Sequence, residues 1–125
     1  MHVVSEPLVS SFNKVGIQGK IFETHTLLAK AQFVLIETAH GHETTIVQHV
    51  SDFIYYILEG KGIFTIHDMK EECEAGNLVC IPAGTPFTYK GRLKMLLICT
   101  PPWKEEQEEL IHVPADQNPL KDLQR

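Results

Sequence analysis

Long apolar runs are missing from this chain. The longest uninterrupted ones, such as Phe53 to Leu58 and Met95 to Cys99, fall far short of the roughly 20 residues a membrane helix needs, so no membrane partner is expected. A basic footprint is missing too. The formal net charge is −5, and the densest basic stretch is Lys90, Arg92 and Lys94, whose alternation reads as the polar side of a strand and its turn. Phosphate backbones need clustered positive charge, so nucleic acid is excluded as a partner. Cysteine is scarce: Cys73, Cys80 and Cys99 are odd in number and form neither a CxxC pair nor a disulfide framework. They read as small, buried or half-buried thiols in a reducing compartment, which makes the cytoplasm the expected location. Residues Met1 to Pro7 carry no basic segment followed by an apolar core, so no secretion signal is expected. Phosphate loop, dinucleotide fingerprint and nucleophile elbow are all absent. His42-Glu43 opens like the zinc-protease helix motif, but Ile46 stands where that motif needs its second histidine.

What is present is an ordinary globular balance in 125 residues, 43% hydrophobic and 22% charged. That is the size of one domain able to bury its own core. We read one domain over 1–113, with its core in 31–100 and a polar tail over 114–125. Short β-rich runs alternate with turn residues, the pattern of a sandwich or barrel. Strands are predicted at Gly19 to Leu28, Ala31 to Thr38, Thr44 to Val50, Phe53 to Glu59, Gly62 to His67, Lys70 to Glu74, Leu78 to Ile81, Phe87 to Lys90 and Leu93 to Cys99. Gly60-Lys61-Gly62 reads as a tight reversal between two of them. A short helix is predicted at the end. Thr100 would cap it, Pro101 and Pro102 suit its first turn, and Trp103, Gln107, Leu110 and Ile111 share one face. Pro114 would stop it.

Two segments carry more information. The first runs Gly41, five residues, Val47-Gln48-His49, three residues, Phe53, six residues, Gly60. The second runs Gly76, five residues, Pro82-Ala83-Gly84, two residues, Phe87. Their spacing resembles the two signature motifs of the cupin family, and the resemblance covers about Ala31 to Thr100. It implies an all-β fold, a jelly-roll cupin barrel of two sheets. Cupins usually bind a divalent metal through three histidines and a glutamate. Mapped residue by residue, those positions are Val47, His49, Phe53 and Phe87. A valine and two phenylalanines offer no lone pair, and one imidazole cannot hold a first-row metal. No metal and no cofactor is therefore expected.

Strand alternation places Thr45, Val47 and His49 on one face, Phe53, Tyr55 and Ile57 on another, and Phe87 with Tyr89 on a third. If these faces line the barrel, His49, Tyr55 and Tyr89 form polar handles among Val47, Phe53, Ile57 and Phe87. That describes either a small-molecule pocket or a filled core in which the tyrosines need only hydrogen-bond partners. His40 and His42, on either side of Gly41, read as surface turn residues.

Metal-free cupins include sugar epimerases and isomerases in which a histidine base and a tyrosine acid move a proton next to a carbonyl. The resemblance thus implies a metal-independent protein that binds a sugar or sugar derivative, with His49 as base and Tyr55 or Tyr89 as acid. A non-catalytic binding or sensing module is the alternative. A metal enzyme with a displaced site, using His49 with His25, His40 or His42 and Glu43, is another. The family also implies a homodimer, with the segment through Val15 exchanged or packed between copies.

Overall fold

A computed structural model of the chain describes residues 2–111. Nine strands follow one another: β1 (Phe12–Lys14), β2 (Ile17–Ile21), β3 (Gln32–Thr38), β4 (Gly41–Gln48), β5 (Asp52–Ile66), β6 (Met69–Glu74), β7 (Leu78–Ile81), β8 (Phe87–Thr100) and β9 (Glu108–Ile111). The order β1-β2-β3-β8-β4-β9 runs along one path, and β5 joins it by pairing with β8 along one edge and with β6 and β7 along the other. Every pairing is antiparallel. The sheet curls on itself, and the core fills the inside of the curl.

β8 shows why. Phe87, Tyr89, Leu93, Met95, Leu97 and Cys99 are all buried, and all sit at odd positions of one strand with period two. β5 follows the same rule with one interruption. Phe53, Tyr55 and Ile57 point inward, and so does Phe64, which has the opposite parity. The change of parity comes from a bulge: Ile57 pairs with Met95 and Glu59 with Lys94, so β5 spends one extra residue there.

This corrects the reading of Gly60-Lys61-Gly62 as a reversal. β5 runs straight through it, and β8 runs through Gly91, with Gly62 paired to Gly91. A straight 15-residue strand would be roughly 50 Å long, too long for a domain of this size, so both strands bend together at this corner. Gly60 has φ 94° and Gly91 has φ 129°. A methyl on Gly60 would strike the Arg92 carbonyl, and one on Gly91 would strike the Lys61 carbonyl. The glycines serve a close backbone approach between paired strands instead of a hairpin.

The predicted C-terminal helix is also corrected. After Pro101 and Pro102 there is one 3₁₀ turn, Glu105–Gln107, and then β9 pairs with the edge of β4, Val47 against Glu109 and Gln48 against Glu108. The open edge of β4 offers backbone partners. The residues expected to share a helical face are split: Trp103 packs half-buried against the core, and Leu110 is left exposed. No α-helix occurs among the described residues, and no helix there is long and apolar enough to cross a membrane. The strand expected over Gly19 to Leu28 shifts to Ile17–Ile21. Cys80, expected at least half-buried, is exposed, whereas Cys73 and Cys99 are buried. β1 pairs with β2 of the same chain. Pro114 and the tail over 114–125 lie outside the described residues.

Candidate functional site

Inside the curl lies a cavity of 360 Å³, within the range of small-molecule sites. Its walls are apolar, with Val34, Ile36, Ile46, Phe53 and Leu97 among them. His42 and Tyr55 lie at its buried end, and Phe12, Lys14, Trp103 and Glu108 lie at its mouth. A larger groove of 780 Å³ opens outside the core beside Gly60 and Arg92, and none of its charged side chains is buried.

The floor is built on paired strands. His42 on β4 stands opposite Tyr89 on β8, and Tyr55 on β5 stands opposite Leu97 on β8. The His42 ring packs on Tyr89 at 4.0 Å between centroids, and Tyr55 lies 5.6 Å from Tyr89. Phe64 and Phe87 complete the cluster, edge-on or tilted to the tyrosines.

His42 is 1% exposed. Its Nδ1 lies 3.0 Å from the carbonyl oxygen of Thr44. A carbonyl can only accept, so Nδ1 carries the proton and Nε2 carries the lone pair. Thr88 braces the same stretch by donating its hydroxyl to the His42 carbonyl. Nε2 is buried and has no hydrogen-bond partner among the described residues, and the same holds for the Tyr89 hydroxyl. Unpaired buried polar groups are costly, and Nε2, on a ring that lines the cavity, is placed to meet a ligand. Burial lowers the His42 pKa from 6.5 to about 4, which keeps the ring neutral near pH 7. Burial pushes both phenols up, Tyr55 further through its neighbours Tyr89, Cys99 and Glu108. The buried end of the cavity therefore holds one neutral imidazole acceptor and the protonated Tyr55 phenol, with the protonated Tyr89 packed against both.

The mouth carries its own polar set. Glu108, at the start of β9, accepts a hydrogen bond from the Trp103 indole nitrogen at 2.7 Å and pairs with Lys14 at 3.6 Å. Its side chain is only 11% exposed. The Lys14 ammonium lies 4.6 Å from the Trp103 ring centroid.

Of the residues read from the sequence as pocket-lining, Phe53 and Tyr55 line the cavity, Ile57, Phe87 and Tyr89 pack in the core cluster without lining it, and two lie outside that cluster. His49 is an exposed side chain on the far side of β4, bonded through Nε2 to Glu109 at 2.8 Å. Val47 is buried but outside the core cluster that holds Ile46. The phase of β4 is the one opposite to that expected: His42 and Ile46 face the cavity. Ile46 and Val47 are adjacent and both apolar, so the sequence leaves the phase of this strand open, and a slip of one residue exchanges the faces. Tyr55, Tyr89, Phe53, Ile57 and Phe87 do gather in the core cluster, and Phe53 and Tyr55 line the cavity. Sequence reading missed His42, which it set in a surface turn, and Glu108, which it set in a helix.

The residues do not fit the metal usual for the fold. Phe53 and Phe87 fill two of the mapped positions, His49 points away, and no three His, Cys, Asp or Glu side chains converge among the described residues. The members of a displaced site are likewise dispersed. His25 is exposed beside Glu23, His40 is exposed, and His42 is enclosed.

The curled sheet and its internal cavity define a cupin fold. No family profile matches the sequence. The structure is similar to PAC13 of Streptomyces, solved as its H42Q variant with uridine: TM-score 0.83, 22% identity, over 95% of this chain and 98% of that one. It is also similar to KdgF from Halomonas sp. (TM-score 0.66, 19% identity, 78% of this chain and 90% of that one). A third similar structure is the Cnp3 cupin domain of Schizosaccharomyces pombe (TM-score 0.60, 14% identity, 74% and 66%). In sequence, the chain is 34% identical over 76 residues to an uncharacterised protein of Methanocaldococcus jannaschii, MJ1618, a match spanning 57% of this chain and 61% of that protein.

Proposed function

We propose that this chain is a metal-independent, small-molecule cupin that carries out acid–base chemistry on a sugar-containing ligand, most closely a nucleoside. The observation that carries the proposal is the buried Nε2 of His42, unpartnered among the described residues on a ring that lines the cavity beside Tyr55 and packs on Tyr89. Similarity to PAC13 supports it. That protein is described as a nucleoside dehydratase, and its structures with uridine include variants H42Q, Y89F and Y55F in its own numbering. Here His42 and Tyr55 line the cavity and Tyr89 packs against both.

The geometry suits an elimination next to a carbonyl on the ligand. Nε2 of His42 takes a proton from the carbon beside the carbonyl. The C–H electron pair forms the new C=C bond, and a hydroxyl on the neighbouring carbon departs as water with a proton from a tyrosine phenol. The proton on His42 then restores the phenol, directly or through that water. Preorganised donors aimed at developing negative charge in a water-poor cavity supply the stabilisation. Isomerisation or epimerisation uses the same first step and returns the proton to carbon.

The test uses a nucleoside bearing an aldehyde or ketone on its ribose, in deuterated solvent. Conversion, or deuterium at the carbon beside the carbonyl, is expected with the native chain, and a loss of about 100-fold or more with His42→Gln. Equal rates in the two proteins would remove His42 from the chemistry. Binding with no exchange would leave a binding module.

A further inference from the structure

Among the described residues lining the cavity, three carry charge: Lys14, Glu105 and Glu108. Lys14 is the one cation, and it is already paired with Glu108. Glu108 is fixed across the mouth by the Trp103 indole, with little solvent around it to screen its charge. Its negative charge is felt at two cavity-lining groups: after burial, it adds to the upward shift of Cys99, to about 12, and of Tyr55. The buried end offers a neutral His42 and the Tyr55 phenol, and no cation.

Building on the nucleoside reading above, we propose that Glu108 makes the pocket a charge filter, admitting unphosphorylated ligands and rejecting phosphorylated ones. The conclusion does not depend on which way round the ligand lies. A phosphate placed at the floor would be a buried anion with no counter-charge. A phosphate placed at the mouth would meet Glu105 and Glu108, with Lys14 already engaged. The reaction that supplies this site must therefore release or spare the sugar hydroxyls, and any phosphorylation must come later.

Uridine and uridine 5′-monophosphate, titrated by calorimetry at pH 7 and low salt, test this. The emission of Trp103, the chain's one tryptophan, is a second readout at the mouth itself. The native chain is expected to bind the monophosphate at least tenfold more weakly than uridine. Glu108→Gln keeps an acceptor for the indole and removes the charge, and it is expected to shrink that ratio at least fivefold. In the native chain, raising salt from 50 to 500 mM is expected to shrink it too, because the repulsion is electrostatic. Equal binding of the two ligands, or a ratio that neither the substitution nor salt changes, overturns the charge filter while the nucleoside reading stands. Binding of neither ligand overturns the nucleoside reading, and the filter with it.

Discussion

At the scale of single residues, the account rests on His42. Its ring is buried and neutral, which ties the proposed site to stability through protons. The folded-state pKa is about 4, against 6.5 for the ordinary side chain. Between those values the unfolded chain binds more protons than the folded one, so stability falls as pH drops from about 6.5 toward 4 and is fully present above 6.5. Two and a half pH units correspond to about 3 kcal/mol. Urea unfolding at pH 7 and pH 4.5 is expected to show this loss in the native chain and a clearly smaller one in His42→Gln. Parallel losses in the two proteins would mean that His42 is not buried neutral. The same residue marks the limit of what the sequence discloses. Tyr55, Tyr89, Phe53 and Phe87 lie on strands whose alternation is unambiguous, and their convergence can be read directly. His42 sits on a strand with Ile46 and Val47 side by side, where both phases satisfy the hydrophobic pattern. Only the pairing with β8 decides between them, and that is a long-range contact.

At the scale of elements, the two longest strands organise the molecule. β5 and β8 bend side by side at a corner where Gly60, Gly62 and Gly91 let the backbones approach closely. The glycines look like turn signals because local sequence cannot distinguish a chain that reverses from one that bends against a distant neighbour. The same blindness produced the helix expected after Thr100. Trp103, Gln107, Leu110 and Ile111 have helical spacing, yet the unpaired edge of β4 draws Glu108–Ile111 into the sheet. This exchange places Glu108 at the mouth. Two alanine substitutions separate close approach from turn. Gly91→Ala adds a methyl against the Lys61 carbonyl at a positive φ, whereas Gly76→Ala, also at positive φ, meets nothing within 4 Å. Gly76→Ala is expected to cost about 1 kcal/mol from backbone strain alone. Gly91→Ala is expected to cost at least about 1 kcal/mol more, measured by urea denaturation. Equal costs would contradict the close approach.

At the scale of the whole molecule, the cupin architecture has kept its cavity while apolar side chains have taken mapped metal positions. Phe53 and Phe87 pack against each other at 5.9 Å, inside a cluster that also holds both tyrosines. The fold was legible because motif spacing survives when ligands are replaced: the turns at Gly76 and Pro82 to Gly84 are demanded by the chain path, not by the metal. The proposed site was less legible, because its histidine lies outside the signature positions.

A long-range ¹H–¹⁵N spectrum of histidine-labelled protein, recorded from pH 4 to 8 with and without uridine, tests the central claim most directly. His42 is identified by the signal missing in His42→Gln. The account predicts that His42 carries its proton on Nδ1, that Nε2 stays unprotonated down to near pH 4, and that uridine shifts the Nε2 signal. A His42 that titrates near pH 6.5, or whose Nε2 is indifferent to uridine, would contradict it.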